Sequence, residues 1–187
     1  MGSNSFKLRV NSRVYKSGVK SCHCVHHGCK CDHFSDPKAS CRCSTTQLHS
    51  YRSKISGPLL DRIDIHIELP SVKYKELTDT KEAEPSSAIK NRVEKAQAIQ
   101  RERFKSEGIF YNAQMNTKLI KKHCILENEV KELLRLAMTE LGLSARAYDK
   151  ILKVSRTIAD LAESEQIKTE HLSEAIQYRS LDRDFFV

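Results

Sequence analysis

Six of the seven cysteines fall together, at Cys22, Cys24, Cys29, Cys31, Cys41 and Cys43, and only Cys124 lies elsewhere. Within the group, Cys29-x-Cys31 and Cys41-x-Cys43 make two pairs ten residues apart. Thiolates are soft ligands, and four of them satisfy tetrahedral zinc. Cys29, Cys31, Cys41 and Cys43 are therefore the candidate zinc ligands, with Cys22, Cys24, His23, His26, His27 and His33 as spare donors. The alternative is a set of reduced thiols in a flexible loop. A disulfide knot is disfavoured, because the opening Met-Gly-Ser-Asn-Ser-Phe lacks the apolar stretch of a secretory signal.

Two arginines stand where a phosphate is well served. Arg62 follows the short turn Gly57-Pro58-Leu59-Leu60-Asp61 and opens the segment Ile63–Leu69, so its guanidinium can project at a neighbour. The alternative is an ion pair with Asp61 or Asp64. Arg146 falls in the first turn of a helix capped by Ser144, where the dipole disfavours a cation. A bound anion reverses that cost, because free backbone N–H groups and the guanidinium share it. Its alternative partner is Asp149.

The elements that must position these groups read as follows. Residues 1–44 show no sustained apolar period and are expected to be irregular. Thr45–Lys54 fits a short helix capped by Thr45 or Thr46, with Leu48 and Tyr51 on one face, and Ser56-Gly57-Pro58 breaks it. Ile63, Ile65, Ile67 and Leu69 alternate with Asp64, His66 and Glu68 before Pro70, which predicts one half-buried strand. From Ser86 the period is helical: Ile89, Val93, Ala96 and Gln100 share a face capped at Ser86 or Ser87. A short helix follows near Thr117–His123, then an amphipathic one through Val130, Leu133, Leu134, Ala137 and Leu141, which Gly142 ends. Ser144 caps a helix with Ile151, Leu152, Ile158 and Leu161 buried, and Thr169 caps the last, with Leu172, Ala175 and Ile176. The fold class is mainly α with one β-strand.

Of the 187 residues, 39% are apolar and 30% charged, which suits a globular core. The net charge of +8 is concentrated: residues 1–54 carry ten Lys or Arg and two acids, while residues 55–187 carry 22 of each sign. That basic excess suits phosphates on DNA or RNA, or else a solvated tail. No apolar run reaches the roughly 20 residues of a membrane span, which points to the cytoplasm. The six glycines fit neither Gly-x4-Gly-Lys nor Gly-x-Gly-x-x-Gly, and no apolar strand ends in Asp-Glu. Unaided nucleotide hydrolysis by this chain is therefore not expected.

Two stretches carry a family resemblance. Ile55-Ser56-Gly57-Pro58-Leu59-Leu60-Asp61-Arg62-Ile63-Asp64-Ile65-His66 resembles the segment after sensor 1 in Mg-chelatase-like AAA+ ATPases of the ComM type. Leu143-Ser144-Ala145-Arg146-Ala147-Tyr148, with Ile151–Leu161, resembles their C-terminal lid, and Cys29–Ser44 resembles their cysteine loop. The resemblance covers about residues 29–182. It implies the C-terminal part of an AAA+ α/β core plus a helical-bundle lid, in a hexameric ring that uses ATP and Mg2+. It also implies a DNA helicase promoting branch migration during natural transformation. By motif position Arg62 is the arginine finger acting in trans, and Arg146 is sensor 2.

This chain departs from the pattern too. No phosphate loop or acidic magnesium motif is present, and the sensor-1 asparagine, due two residues before Cys29, is replaced by His27. Lys30 and Asp32 replace the usual Pro and Gly. Residues 1–28 thus read as an irregular basic tail, frameshifted or non-native, since codons for Cys22–His27 shifted by one base can encode Val-Ile-Ala-Ser-Ile-Met. The expected organisation continues with cysteine loop and core end at 29–70, a connector at 71–85, the lid at 86–182 and a tail at 183–187. Another class of function is a non-enzymatic, zinc-stabilised nucleic-acid-binding module, but that reading gives the Ser-Gly-Pro-Leu-Leu-Asp-Arg motif no purpose.

Overall fold

The computed structural model describes residues 9–14, 20–25, 29, 31, 40–53, 62–67 and 83–179, with the backbone alone for 9–14, 20–25 and Arg52. Asp61, Leu69, Pro70, the spare donors His26, His27 and His33, most of the 71–85 connector and the 183–187 tail lie outside the described residues. The chain divides into two units, Met1–Lys54 and Ile55–Val187.

In the first unit, strand β1 (Arg9–Val14) pairs antiparallel with β2 (Lys20–Val25), Arg9 opposite Val25 and Val14 opposite Lys20. This corrects the expectation of irregular chain throughout residues 1–44. A two-stranded ladder is made by backbone groups, which a scan for apolar periodicity does not register. Helix α1 (Thr45–Arg52) begins where expected, but its cap is Ser44. Ser44 Oγ accepts the Gln47 N–H at 3.3 Å, and Gln47 Oε1 accepts the Ser44 N–H at 3.1 Å. That reciprocal box outcompetes a single threonine cap.

The second unit is helical: α2 (Ser86–Arg103), a 3-10 turn at Asn112–Gln114, α3 (Thr117–His123), α4 (Asn128–Glu140), α5 (Ala145–Leu161) and α6 (Thr169–Gln177). Helix α5 is its axis, packed by α2, α3, α6 and the 3-10 turn. Ile151, Leu152 and Ala159 of α5 meet Phe104, Leu119, Leu134 and Leu172 in one apolar core. Ser144 caps α5 as expected, accepting the Ala147 N–H at 3.2 Å. Gly142, at φ +58°, ends α4 in the left-handed conformation that glycine adopts without strain. The Leu143 N–H then reaches Met138 O and the Gly142 N–H reaches Thr139 O, the paired bonds of a Schellman ending. Helices α2 and α6 start one residue outside the expected caps, with Pro85 and Lys168 at N-cap.

Three expected faces turn out differently. Ala96 and Gln100 of α2 are buried, but Ile89 and Val93 are exposed. Leu161, at the end of α5, is also exposed. Among residues 62–67 no strand forms. His66 is buried while Ile65 and Ile67 face out, the reverse of the alternation expected. The segment instead turns its backbone to the helices: the His66 N–H donates to Tyr178 O at 2.8 Å, and the Arg179 guanidinium donates to Ile63 O.

A buried polar network joins α2 to α5. Asp160 is wholly buried and accepts both Nη atoms of Arg103, the Arg156 Nε–H at 3.1 Å and the Asn112 Nδ2–H at 2.8 Å. Arg156 also donates to Ser164 O and Glu165 O, which seats the loop after α5. No helix among the described residues is long and apolar enough to cross a membrane.

Candidate functional site

The first unit gathers the four expected cysteines. The sulfurs of Cys29, Cys31, Cys41 and Cys43 all lie within 4.8 Å of one another. Cys29 and Cys31 Sγ are 3.2 Å apart, Cys31 and Cys41 3.5 Å, and Cys29 and Cys41 3.7 Å. Four sulfurs bound at about 2.3 Å around a tetrahedral zinc lie about 3.8 Å apart, so the cluster has the dimensions of such a site. A disulfide needs a separation of about 2.05 Å, and all four are free thiols. Cys29 is buried, and the other three are half-buried.

The cluster strains its own protonation chemistry. At Cys41 the Cys43 backbone N–H, the largest single influence, favours the thiolate. Desolvation and the neighbouring sulfurs of Cys31, Cys29 and Cys43 together overcome it and push the thiol up to about 12. The Cys43 thiol is raised as well, chiefly by the Cys31 sulfur. Each additional thiolate would face the others, and a divalent cation at the centre removes that penalty. The spare donors Cys22, Cys24 and His23 sit on β2, where only the backbone is described.

The second unit carries both arginines. Arg62 is exposed in a turn, and its carbonyl accepts the Lys150 ammonium at 2.8 Å. The same ammonium pairs with Asp64 at 2.5 Å, so the carboxylate weighed as a partner for Arg62 is held by Lys150. With the bonds to Tyr178 and Arg179, residues 62–66 are strapped to the opening of α5 and the end of α6. Lys150 lies four residues beyond Arg146, one turn along the same face of α5. Arg146 is exposed in the first turn, and among the described residues it forms no ion pair with Asp149. Lys150 thus ties the Arg62 turn to α5 one helical turn beyond Arg146.

Lys150, Tyr178 and Arg179 escaped the sequence pattern. Their partners stand 86 to 116 residues away in the chain for Lys150 and Arg179, so no local spacing reveals them. The one local cue is the placement of Lys150 at i+4 from Arg146.

The second unit is a helical bundle, as fits a chelatase-type lid. The family model described as magnesium chelatase, subunit ChlI C-terminal, matches residues 83–179, and that for magnesium chelatase, subunit ChlI, matches residues 12–77. The chain belongs to the magnesium chelatase ChlI C-terminal family, and within it to the ComM type. It is 42% identical over 143 residues to Competence protein ComM of Haemophilus influenzae, covering 76% of this chain and 27% of that protein. It is 38% identical over 143 residues to YifB of Salmonella typhimurium and of Escherichia coli, covering 76% of this chain and 28% of each. The chain therefore spans about a quarter of the length of the curated relatives it matches. The ChlI match begins at residue 12, upstream of Cys29, where the resemblance read from the sequence stopped.

Proposed function

We propose that this chain acts as the C-terminal portion of a ComM-like AAA+ ATPase, joining a hexameric ring and contributing to ATP sites whose phosphate loop and Mg2+ ligands other segments supply. Arg62 is the arginine finger, reaching the nucleotide of the adjoining subunit. Arg146 is sensor 2, contacting the γ-phosphate from the lid. The ring translocates on DNA as a helicase in branch migration during natural transformation, and Zn2+ is the metal of the cysteine cluster.

The observation that carries this reading is the Lys150 ammonium of α5, one helical turn beyond Arg146, bonded to the Arg62 carbonyl and the Asp64 carboxylate. It supports the reading because this ammonium holds the Arg62 segment to α5. The alternative module reading finds support in the cysteine cluster alone and gives that tie no role.

The test uses this chain joined to an ATPase half of its ComM-type relatives. A finger stabilises charge on the transferred phosphoryl group and is worth on the order of 10³–10⁵ in rate. Arg62→Ala should lose turnover by that order while retaining nucleotide binding. Arg146→Ala should weaken binding as well as turnover. Normal hydrolysis by the Arg62→Ala protein refutes the assignment.

A further inference from the structure

The first unit is small, and its described side chains bury little. Among the described residues of Met1–Lys54, Cys29 is the only buried side chain. Leu48 and Tyr51 of α1 are half-buried, as are Cys31, Cys41 and Cys43, and the other described side chains are exposed. A two-stranded hairpin is marginal in water, and a helix of eight residues lies below the length at which isolated helices persist. Units this small are usually held by disulfides or by a metal. The thiols are free, so disulfides are not the fastening here.

We propose that Cys29, Cys31, Cys41 and Cys43 bind one Zn2+ in a closed tetrathiolate site that is the folding nucleus of the first unit. This rests on the zinc reading above but is independent of the ring-ATPase reading, since it concerns what holds residues 1–54 together. With four protein ligands there is no open coordination position, so the ion is structural rather than hydrolytic. The sulfurs are softer donors than magnesium or calcium accepts, which selects zinc among common divalent ions.

The location explains what the ion would organise. Cys43 directly precedes Ser44, the cap of α1, so fixing Cys41 and Cys43 fixes the first turn of that helix. Cys29 and Cys31 stand a few residues past the end of β2. One ion therefore ties the exit of the hairpin to the entry of α1, joining Cys29 and Cys31 to Cys41 and Cys43. Binding releases protons from the thiols, one for each that enters as thiolate.

The test uses the full chain, purified under reducing conditions, with zinc alone as the probe. Elemental analysis should give about one zinc per chain, and Co2+ replacement should give the absorption of a tetrahedral thiolate complex. Chelation should expose the 20–53 region to protease while leaving the helical signal of residues 83–179 intact. The Cys41→Ser, Cys43→Ser double variant should lose the metal and show the same cleavage, with the helical unit still melting cooperatively as an internal control of folding. Zinc that binds but leaves the protease pattern unchanged on removal would overturn the folding role while sparing the zinc reading. No zinc above background, iron in its place, zinc retained by the double variant, or a non-reduced mass showing disulfides would overturn both.

Discussion

Asp160 offers the sharpest perturbation of the helical unit. Its side chain is completely buried, and it accepts Arg103 Nη1 at 2.7 Å, the second Arg103 Nη, Arg156 Nε at 3.1 Å and Asn112 Nδ2 at 2.8 Å. Asp160→Ala leaves two guanidinium groups, with side chains 15% and 4% exposed, facing each other without a carboxylate. Burial already pulls the Arg156 guanidinium below its ordinary value, against the attraction of Asp160, so loss of that carboxylate falls on a desolvated charge. Breaking a buried pair in this way costs about 3–5 kcal/mol, a large part of the roughly 5–15 kcal/mol that holds a domain folded. At about 4–8 °C per kcal/mol for a unit near 100 residues, Tm should fall by about 12–40 °C. Circular dichroism melts of the two proteins measure it. Lys95→Ala, which removes an exposed pair with Glu163, is the control and should cost under about 1 kcal/mol. A melt of the Asp160→Ala protein within a few degrees of the parent would refute the network as the joint between α2 and α5.

Three further outcomes follow from the same geometry. Glu163 ends α5 at φ +53°, a left-handed position that costs a side-chain residue about 1 kcal/mol, so Glu163→Gly should raise Tm by a few degrees despite losing Lys95. The buried Cys124 thiol is pushed from 9.0 up to about 11 by desolvation. Its contribution is full below pH 9 and lost as pH rises through 11, because the unfolded thiol ionises first; denaturant titrations should show a loss of up to about 3 kcal/mol over that window that is missing in Cys124→Ala. Lys150→Ala should loosen the 62–66 segment, raising the rate of trypsin cleavage after Arg62 about fivefold for a loss of about 1 kcal/mol. Lys150→Arg should restore part of the protection, and an unchanged cleavage rate would refute the strap.

The helices were legible because each advertises itself locally. Ser144 and Gly142 are punctuation whose mechanism is intrinsic to the residue, and both stand where the sequence put them. The pattern through Val130 and Leu134 gave the buried face of α4 for the same reason. Strands were misjudged in both directions. The 63–67 alternation describes a residue pattern but supplies no partner edge, so His66 is buried against the helices and the isoleucines are not. The 9–14 and 20–25 pairing is made by backbone groups and left little apolar signature. The cysteine cluster was visible as spacing, and the described residues bring the same four sulfurs together. The Arg103–Asp160–Asn112 joint was not visible, because charged residues on helical faces ordinarily read as solvated and their pairing spans 48 and 57 residues of chain.

The central claim, that Arg62 serves the nucleotide of an adjoining subunit, is tested most directly by mixing two inactive proteins. Each is this chain joined to the ATPase half of its ComM-type relatives, one carrying Arg62→Ala and the other a disabled phosphate loop. A subunit lacking Arg62 keeps its own phosphate loop, and a neighbour with the disabled loop keeps its arginine, so mixed rings contain intact composite sites. The mixture should therefore hydrolyse ATP although neither protein does so alone. Mixed rings that stay inactive would contradict a finger acting across the interface, as would an Arg62→Ala protein that is fully active by itself.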